Sequence, residues 1–367
     1  MHNRDAMFLT KINGTIGMRR LQTTFQRRQR QHWLLLTLVV CVSHSQAAES
    51  PSPPANADNS RITIDEAGVR RQEIRTNLVG DFYLPPTTGR VPGIILLGGS
   101  DGEPMQERSA LLASSGYAVL NLFYFGHASL PKELSEVPVE YLTNAVSWLQ
   151  ARERVDPARI GVIGYSRGAE AALLIATFRS DVGAVVAVAP SSVIWPGPGA
   201  SGYFHSAWSL HGTELPYVPV NFSKGVGAFL KEVTGGTQIE HRPLFEDALK
   251  NKRAVEDATI QVERIRAAVL LISGKDDRVW PSAPMAEKIV ARLRENRHAF
   301  AYRYLSYENA GHSFGLPNQP RTNNATGTFK MGGTPAGNAT AAASSWKAML
   351  EFLETELRNR REKSSDK

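Results

Sequence analysis

Cysteine is nearly missing from this chain: of 367 residues only Cys41 carries a thiol. One thiol cannot close an intrachain disulfide or build a thiolate metal site, and Cys41 sits inside an apolar stretch rather than at a reactive turn. Net charge is missing from the body as well. The formal +7 is concentrated in residues 1–47, where Arg4, Lys11, Arg19, Arg20, Arg27, Arg28 and Arg30 stand against one acid, Asp5. The remainder carries +1, which gives no electrostatic case for a nucleic-acid partner. Long apolar runs are absent too. The ten residues Trp33–Val42 are about half the length that spans a bilayer as a helix. No internal repeat, no His/Asp/Glu cluster with metal-ligand spacing and no lysine-bearing phosphate loop is present, so no cofactor is expected.

What the first 47 residues do contain is an address. Arg27, Arg28 and Arg30 precede the apolar run, and Ser45-Gln46-Ala47 supplies small residues after it. That layout is a secretory signal with cleavage expected near Ala47, which leaves no stable membrane span and sends the chain to the periplasm or outside. An arginine-rich, acid-poor leader also fits an organellar transit peptide, with an organellar or cytoplasmic location as the alternative. Residues 48–60, rich in Pro, Ser and Asn, read as a linker too polar to pack. Residues 61–367 read as one catalytic domain.

Within that domain apolar strands alternate with amphipathic helices. Strands are expected at 91–97, 117–124, 159–164, 183–189, 267–272 and 299–306. Helices are expected at 105–115, 138–153, 166–178 and 282–295, with a last one carrying Trp346, Met349, Leu350, Leu353 and Leu357 on one stripe. Near-continuous apolar strands separated by helices predict an α/β fold, a mostly parallel sheet covered on both faces. The rhythm breaks between Ser191 and about Asp257, where Gly, Pro, Trp, Tyr and His accumulate. That interval reads as an inserted lid or pocket segment, or as a surface excursion without a role.

The chemistry centres on Gly164-Tyr-Ser-Arg-Gly168, the junction of a strand and a helix. A Gly-x-Ser-x-Gly turn in that context lifts the serine hydroxyl above the sheet edge, making Ser166 the candidate nucleophile. An acid and then a histidine should follow. Asp276 and Asp277 stand on the loop leaving the strand at 267–272, and the spacing from Gly274 favours Asp277. His312 follows the next strand, 35 residues beyond Asp277, and is the one histidine of nine in the place a general base requires. An oxyanion would take one backbone N–H from Arg167 and a second from Gly99 or Ser100, on the loop Gly98–Gly102. The substrate expected of such a set is a small-molecule acyl ester or thioester.

Several stretches carry a resemblance beyond the triad. They are Pro92–Ser100, Glu107–Ala113 with Gly116–Leu120, Leu130–Leu134 with Glu140-Tyr141, GYSRGAE at 164–170, Ile260–Arg264, SGKDDRVWPS at 273–282, AGHSF at 310–314 and Gly332–Asn338 before Trp346. With these the chain resembles the acyl-CoA thioester hydrolase / bile acid-CoA:amino acid N-acyltransferase family, in its catalytic α/β-hydrolase domain. The resemblance spans about residues 80–357 and implies an α/β-hydrolase fold, with Ser166, Asp277 and His312 as nucleophile, acid and base. The acyltransferase branch of that family carries cysteine at the nucleophile, so serine implies thioester hydrolysis. A leader directing the chain away from coenzyme A keeps open an exported carboxylesterase of dienelactone-hydrolase type, and a catalytically silent binding protein is the third possibility on this fold.

Overall fold

The computed structural model describes residues 62–127, 129–198, 203–221, 238–320, 325–326 and 329–359. The expected leader and linker, residues 1–60, lie outside the described residues. Strands β1 (Ile62–Ile64), β2 (Arg70–Arg75) and β3 (Val79–Leu84) come first, followed by β4 (Val91–Leu97), α1 (Gln106–Ser114), β5 (Ala118–Phe123), β6 (Val137–Pro138), α2 (Val139–Gln150), β7 (Val155–Tyr165) and α3 (Arg167–Phe178). Then come β8 (Ala184–Val188), β9 (Trp208–Leu210), β10 (Thr213–Glu214), α4 (Arg242–Ala248), α5 (Lys252–Asp257), β11 (Ala268–Gly274), α6 (Ser282–Glu295), β12 (Tyr302–Tyr307) and α7 (Pro335–Leu353).

Nine strands form one sheet in the order β1-β2-β3-β5-β4-β7-β8-β11-β12. From β5 to β12 every neighbouring pair is parallel, and β1, β2 and β3 add an antiparallel wing joined through β3 to β5. This is the α/β-hydrolase fold that the alternation predicts. The central strands β5, β4, β8 and β11 are buried along their whole length because both faces are covered, whereas β12 at the sheet's edge is half-buried to exposed. Ile95 and Leu97 of β4 pack with residues of α2, α3 and α6 on one side. Ile94 and Leu96 pack with α1 and α7 on the other. The chain leaves β4 for β5 on one flank and returns to β7 on the opposite flank, so the strand order reverses at β4. A crevice opens at the carboxyl edge where the order reverses, and the loops after β4 and β7 border it.

The wing is where structure and sequence reading part. The stretch 62–84 was expected to join the helix–strand alternation from Arg61 onward, yet it forms three antiparallel strands without a helix. Only Ile74 of β2 is buried, so its sequence RRQEIR shows little of a strand's alternation. The last helix also begins earlier than its apolar stripe suggests. Thr334 caps it by accepting the Gly337 N–H at 3.0 Å, and Pro335 occupies the first turn.

The insertion between β8 and β11 is anchored rather than loose in its described parts. Strand β9 pairs with β10 and with β6 in a small separate sheet. Val193, Trp195, Val218 and Phe245 of the insertion pack with Trp280 and Met285, next to the loop after β11. Among the described residues no helix is long and apolar enough to cross a membrane.

Candidate active site

Strand β7 runs directly into α3, and the single residue between them is Ser166, with φ 56° and ψ −117°. A non-glycine residue there is strained, and the packing around it holds the strain in place. A Cβ on Gly164 would collide with the Gly168 carbonyl oxygen, and one on Gly168 would collide with the carbonyl oxygens of Leu97 and Gly98. The two glycines of the motif therefore let β7, α3 and β4 approach at backbone contact. Ser166 is left half-buried at the carboxyl end of β7.

The loops after β11 and β12 bring the other two groups to the same edge. His312 Nε2 lies 2.8 Å from Ser166 Oγ, and His312 Nδ1 lies 2.8 Å from Asp277 Oδ2. Asp277 is fully buried and His312 nearly so. The carboxylate also accepts the Ser282 hydroxyl at 2.6 Å and the N–H groups of Val279 at 2.9 Å and Trp280 at 3.2 Å. An ionised carboxylate only accepts, so Nδ1 carries the ring proton and Nε2 is free to accept from Ser166 Oγ. Of the two adjacent acids, Asp276 points elsewhere. It pairs with Arg278 and accepts the Gly333 N–H at 2.8 Å.

Three structural supports of this set were not singled out by spacing. Trp280 packs edge-on against the His312 ring, centroids 5.6 Å apart. The segment 331–333 straps the two loops together: His312 N–H donates to the Met331 carbonyl at 2.8 Å, and Gly332 and Gly333 bridge to Asp277 and Ala310. Glu170 is buried one turn into α3 and accepts the Arg167 guanidinium at 3.1 Å. Burial pushes the Glu170 carboxyl above the usual range, while Arg167 and Trp208 pull it back. The sequence signal for 331–333 was the Gly-Gly-Thr-Pro run. Glu170 had none, because an acid in the first turn of a helix ordinarily faces water.

The residues expected to supply the oxyanion donors lie next to Ser166. Arg167 is the first residue of α3, so its N–H belongs to the helix-end group without an intrahelical acceptor. On the β4 loop, a Cβ built on Gly99 would meet Ser166 Cβ at 3.6 Å, which puts Gly99 beside Ser166. Ser100 follows it, exposed. Among the described residues no three His, Cys, Asp or Glu side chains are grouped to hold a metal ion. A hydroxyl bonded to an imidazole, with a buried carboxylate behind the imidazole, can attack an acyl carbon.

Comparison with known proteins gives a consistent set. The profile described as BAAT / acyl-CoA thioester hydrolase C terminal matches residues 137–359. Acyl-coenzyme A amino acid N-acyltransferase 2 of Rattus norvegicus is 31% identical over 296 residues, covering 79% of this chain and 66% of that protein. Acyl-coenzyme A thioesterase 1 of Mus musculus is 30% identical, with coverage of 79% and 66%. For the mitochondrial acyl-coenzyme A thioesterase 2 of Homo sapiens the figures are 28%, 79% and 58%. The chain thus spans 66% or less of the length of these relatives. Among solved structures, a dienelactone hydrolase-like phosphotriesterase from metagenomic libraries is 17% identical at a TM-score of 0.46, covering 81% of this chain and 98% of its own.

Proposed function

The chain belongs to the BAAT / acyl-CoA thioester hydrolase family, and we propose that it hydrolyses acyl thioesters through an acyl-Ser166 intermediate. The observation that carries this reading is the unbroken hydrogen-bonded series Ser166–His312–Asp277. Ser166 Oγ attacks the acyl carbon as His312 Nε2 takes its proton, and the carbonyl oxygen becomes an oxyanion held by the N–H groups of Arg167 and of Gly99 or Ser100. Asp277 orients the ring and balances the imidazolium charge. Collapse breaks the carbon–sulfur bond, and His312 returns the proton to the departing thiolate. Water then attacks the acyl-serine ester, its proton going to His312 and on to Ser166 Oγ as the carboxylic acid leaves.

Relatives named as acyl-coenzyme A thioesterases and as amino acid N-acyltransferases both match. Serine at position 166 supports water as the acyl acceptor, because the resemblance associates the transferase branch with cysteine. A second reading, hydrolysis of oxygen esters outside the cytoplasm, is favoured by the leader-like pattern of Arg27, Arg28, Arg30 and Trp33–Val42. Against it stands a relative named as mitochondrial, which supports an organellar or cytoplasmic address.

Fluorophosphonate labelling of wild type and Ser166→Ala tests the nucleophile. Labelling that persists in the variant sinks the serine mechanism. Rates on acyl-CoAs, simple oxygen esters and acyl-CoA plus glycine or taurine then separate thioesterase, esterase and transferase. Turnover confined to oxygen esters selects the second reading. Residues 1–60 fused to an export-dependent reporter decide the address.

A further inference from the structure

Behind the elbow lies a buried polar cluster that the triad does not use. Tyr124, just past β5, is buried, and its hydroxyl donates to the Gly98 carbonyl oxygen at 2.7 Å, with the Gly99 carbonyl oxygen at 3.4 Å. A trans peptide carries its C=O and N–H on opposite sides. Turning Gly98 C=O toward Tyr124 therefore turns the Gly99 N–H away from it, in a loop whose Gly99 lies against Ser166.

The other donor has a matching support. Glu170 accepts the Arg167 guanidinium at 3.1 Å, the Trp208 indole N–H at 2.6 Å and the Trp195 N–H at 3.3 Å. A second guanidinium nitrogen of Arg167 donates to the Pro196 carbonyl at 2.5 Å. The residue that offers its own N–H at the elbow is thus held by its side chain against α3 and against the insertion. The rings of Tyr124 and Trp208 lie 5.7 Å apart, which joins the two halves into one cluster. A buried carboxylate–guanidinium pair is a poor device for stability alone, since desolvation offsets the attraction.

We infer that Tyr124 and Glu170 are positioning residues for the two oxyanion donors, Tyr124 fixing the Gly98–Gly99 peptide and Glu170 fixing Arg167. The inference rests on the serine-hydrolase reading above. Through Glu170 the insertion is tied to the nucleophile's own turn.

Tyr124→Phe removes one oxygen and keeps the ring. Glu170→Gln keeps the shape and drops the charge, and Trp208→Phe removes the indole donor together with part of its ring, should Glu170→Gln not fold. Each is compared with wild type and Ser166→Ala in kcat, KM, fluorophosphonate labelling rate and Tm. A whole oxyanion donor is worth about 10²–10³-fold in kcat, so misaligning one predicts a fall of roughly 10–100-fold in kcat and labelling rate. KM should stay within about threefold, since the donors act on the transition state. Wild-type kcat and labelling rates in Tyr124→Phe and Trp208→Phe, whatever the change in Tm, would reduce the cluster to packing and overturn the inference. A raised KM at unchanged kcat would overturn it as well, by assigning these side chains to substrate binding. Labelling that is undiminished in Ser166→Ala would instead remove the reading beneath it.

Discussion

Replacing Asp277 by Asn changes one atom and no volume, yet it should nearly abolish turnover. Asp277 Oδ1 accepts two backbone N–H groups, from Val279 and Trp280, while Oδ2 accepts from His312 Nδ1 and Ser282 Oγ. An Asn amide offers one accepting oxygen and one donating nitrogen. If the oxygen keeps the backbone donors, the NH₂ faces His312 Nδ1, the ring must accept there, and its proton moves to Nε2. That proton then points at Ser166 Oγ, 2.8 Å away, and the base can no longer take the serine proton. The opposite orientation sets NH₂ against two N–H groups in a site with no exposure, leaving donors facing donors. Where a triad's Asp is replaced by Asn, a wrong tautomer of this kind lowers kcat about 10⁴-fold, or roughly 5.5 kcal/mol in the barrier. The assay is kcat/KM on the best substrate of the panel, with fluorophosphonate labelling as a substrate-independent readout. Asp276→Asn is the control. Its carboxylate serves Arg278 and Gly333, so its rate should stay within a few-fold of wild type. Turnover of Asp277→Asn within tenfold of wild type, with Asp276→Asn reduced a hundredfold, would refute both the tautomer argument and the assignment of the acid.

Two further outcomes follow from the same geometry. Gly168→Ala puts a methyl group into the carbonyl oxygens of Leu97 and Gly98, backbone that cannot swing aside. Overpacking of that kind should cost about 3 kcal/mol and abolish labelling, and an unchanged denaturant midpoint would count against the elbow packing. Arg179 donates to Asp181 at 2.5 and 2.8 Å and holds its carboxyl down to about 2. A carboxyl depressed from its ordinary value near 4 contributes stability that is complete above about pH 4 and is lost as pH falls through about 2. The pair is partly exposed, so Asp181→Asn should lower Tm only slightly at pH 7, less in high salt, with the gap closing between pH 4 and 2. A gap that widens on acidification would reverse the assigned sign.

The proposed nucleophile, acid and base stood out in the sequence because each occupies a turn with a local signature. Ser166 sits between two glycines at a strand–helix junction, and Asp277 and His312 each follow a strand by a few residues. Strands β4, β8 and β11 were readable for a related reason, since burial on both faces writes a nearly uninterrupted apolar run. Strand β2 escaped because it is near the sheet's edge and five of its six residues are polar or charged. The holders of the site escaped for a different reason. Glu170 lies in a helix whose residues 167–176 are all buried, and an i, i+3 pair of opposite charges suits a solvated helix face as well as a buried one. Tyr124 reads as the last aromatic of the expected strand 117–124. Their meaning lies in partners 25, 26 and 38 residues away: Trp195 and Trp208 for Glu170, and Gly98 for Tyr124. A nucleophile must stand where the chain turns, so its neighbours in sequence announce it. The groups that aim it need only stand beneath that turn, and any element of the fold can deliver them there.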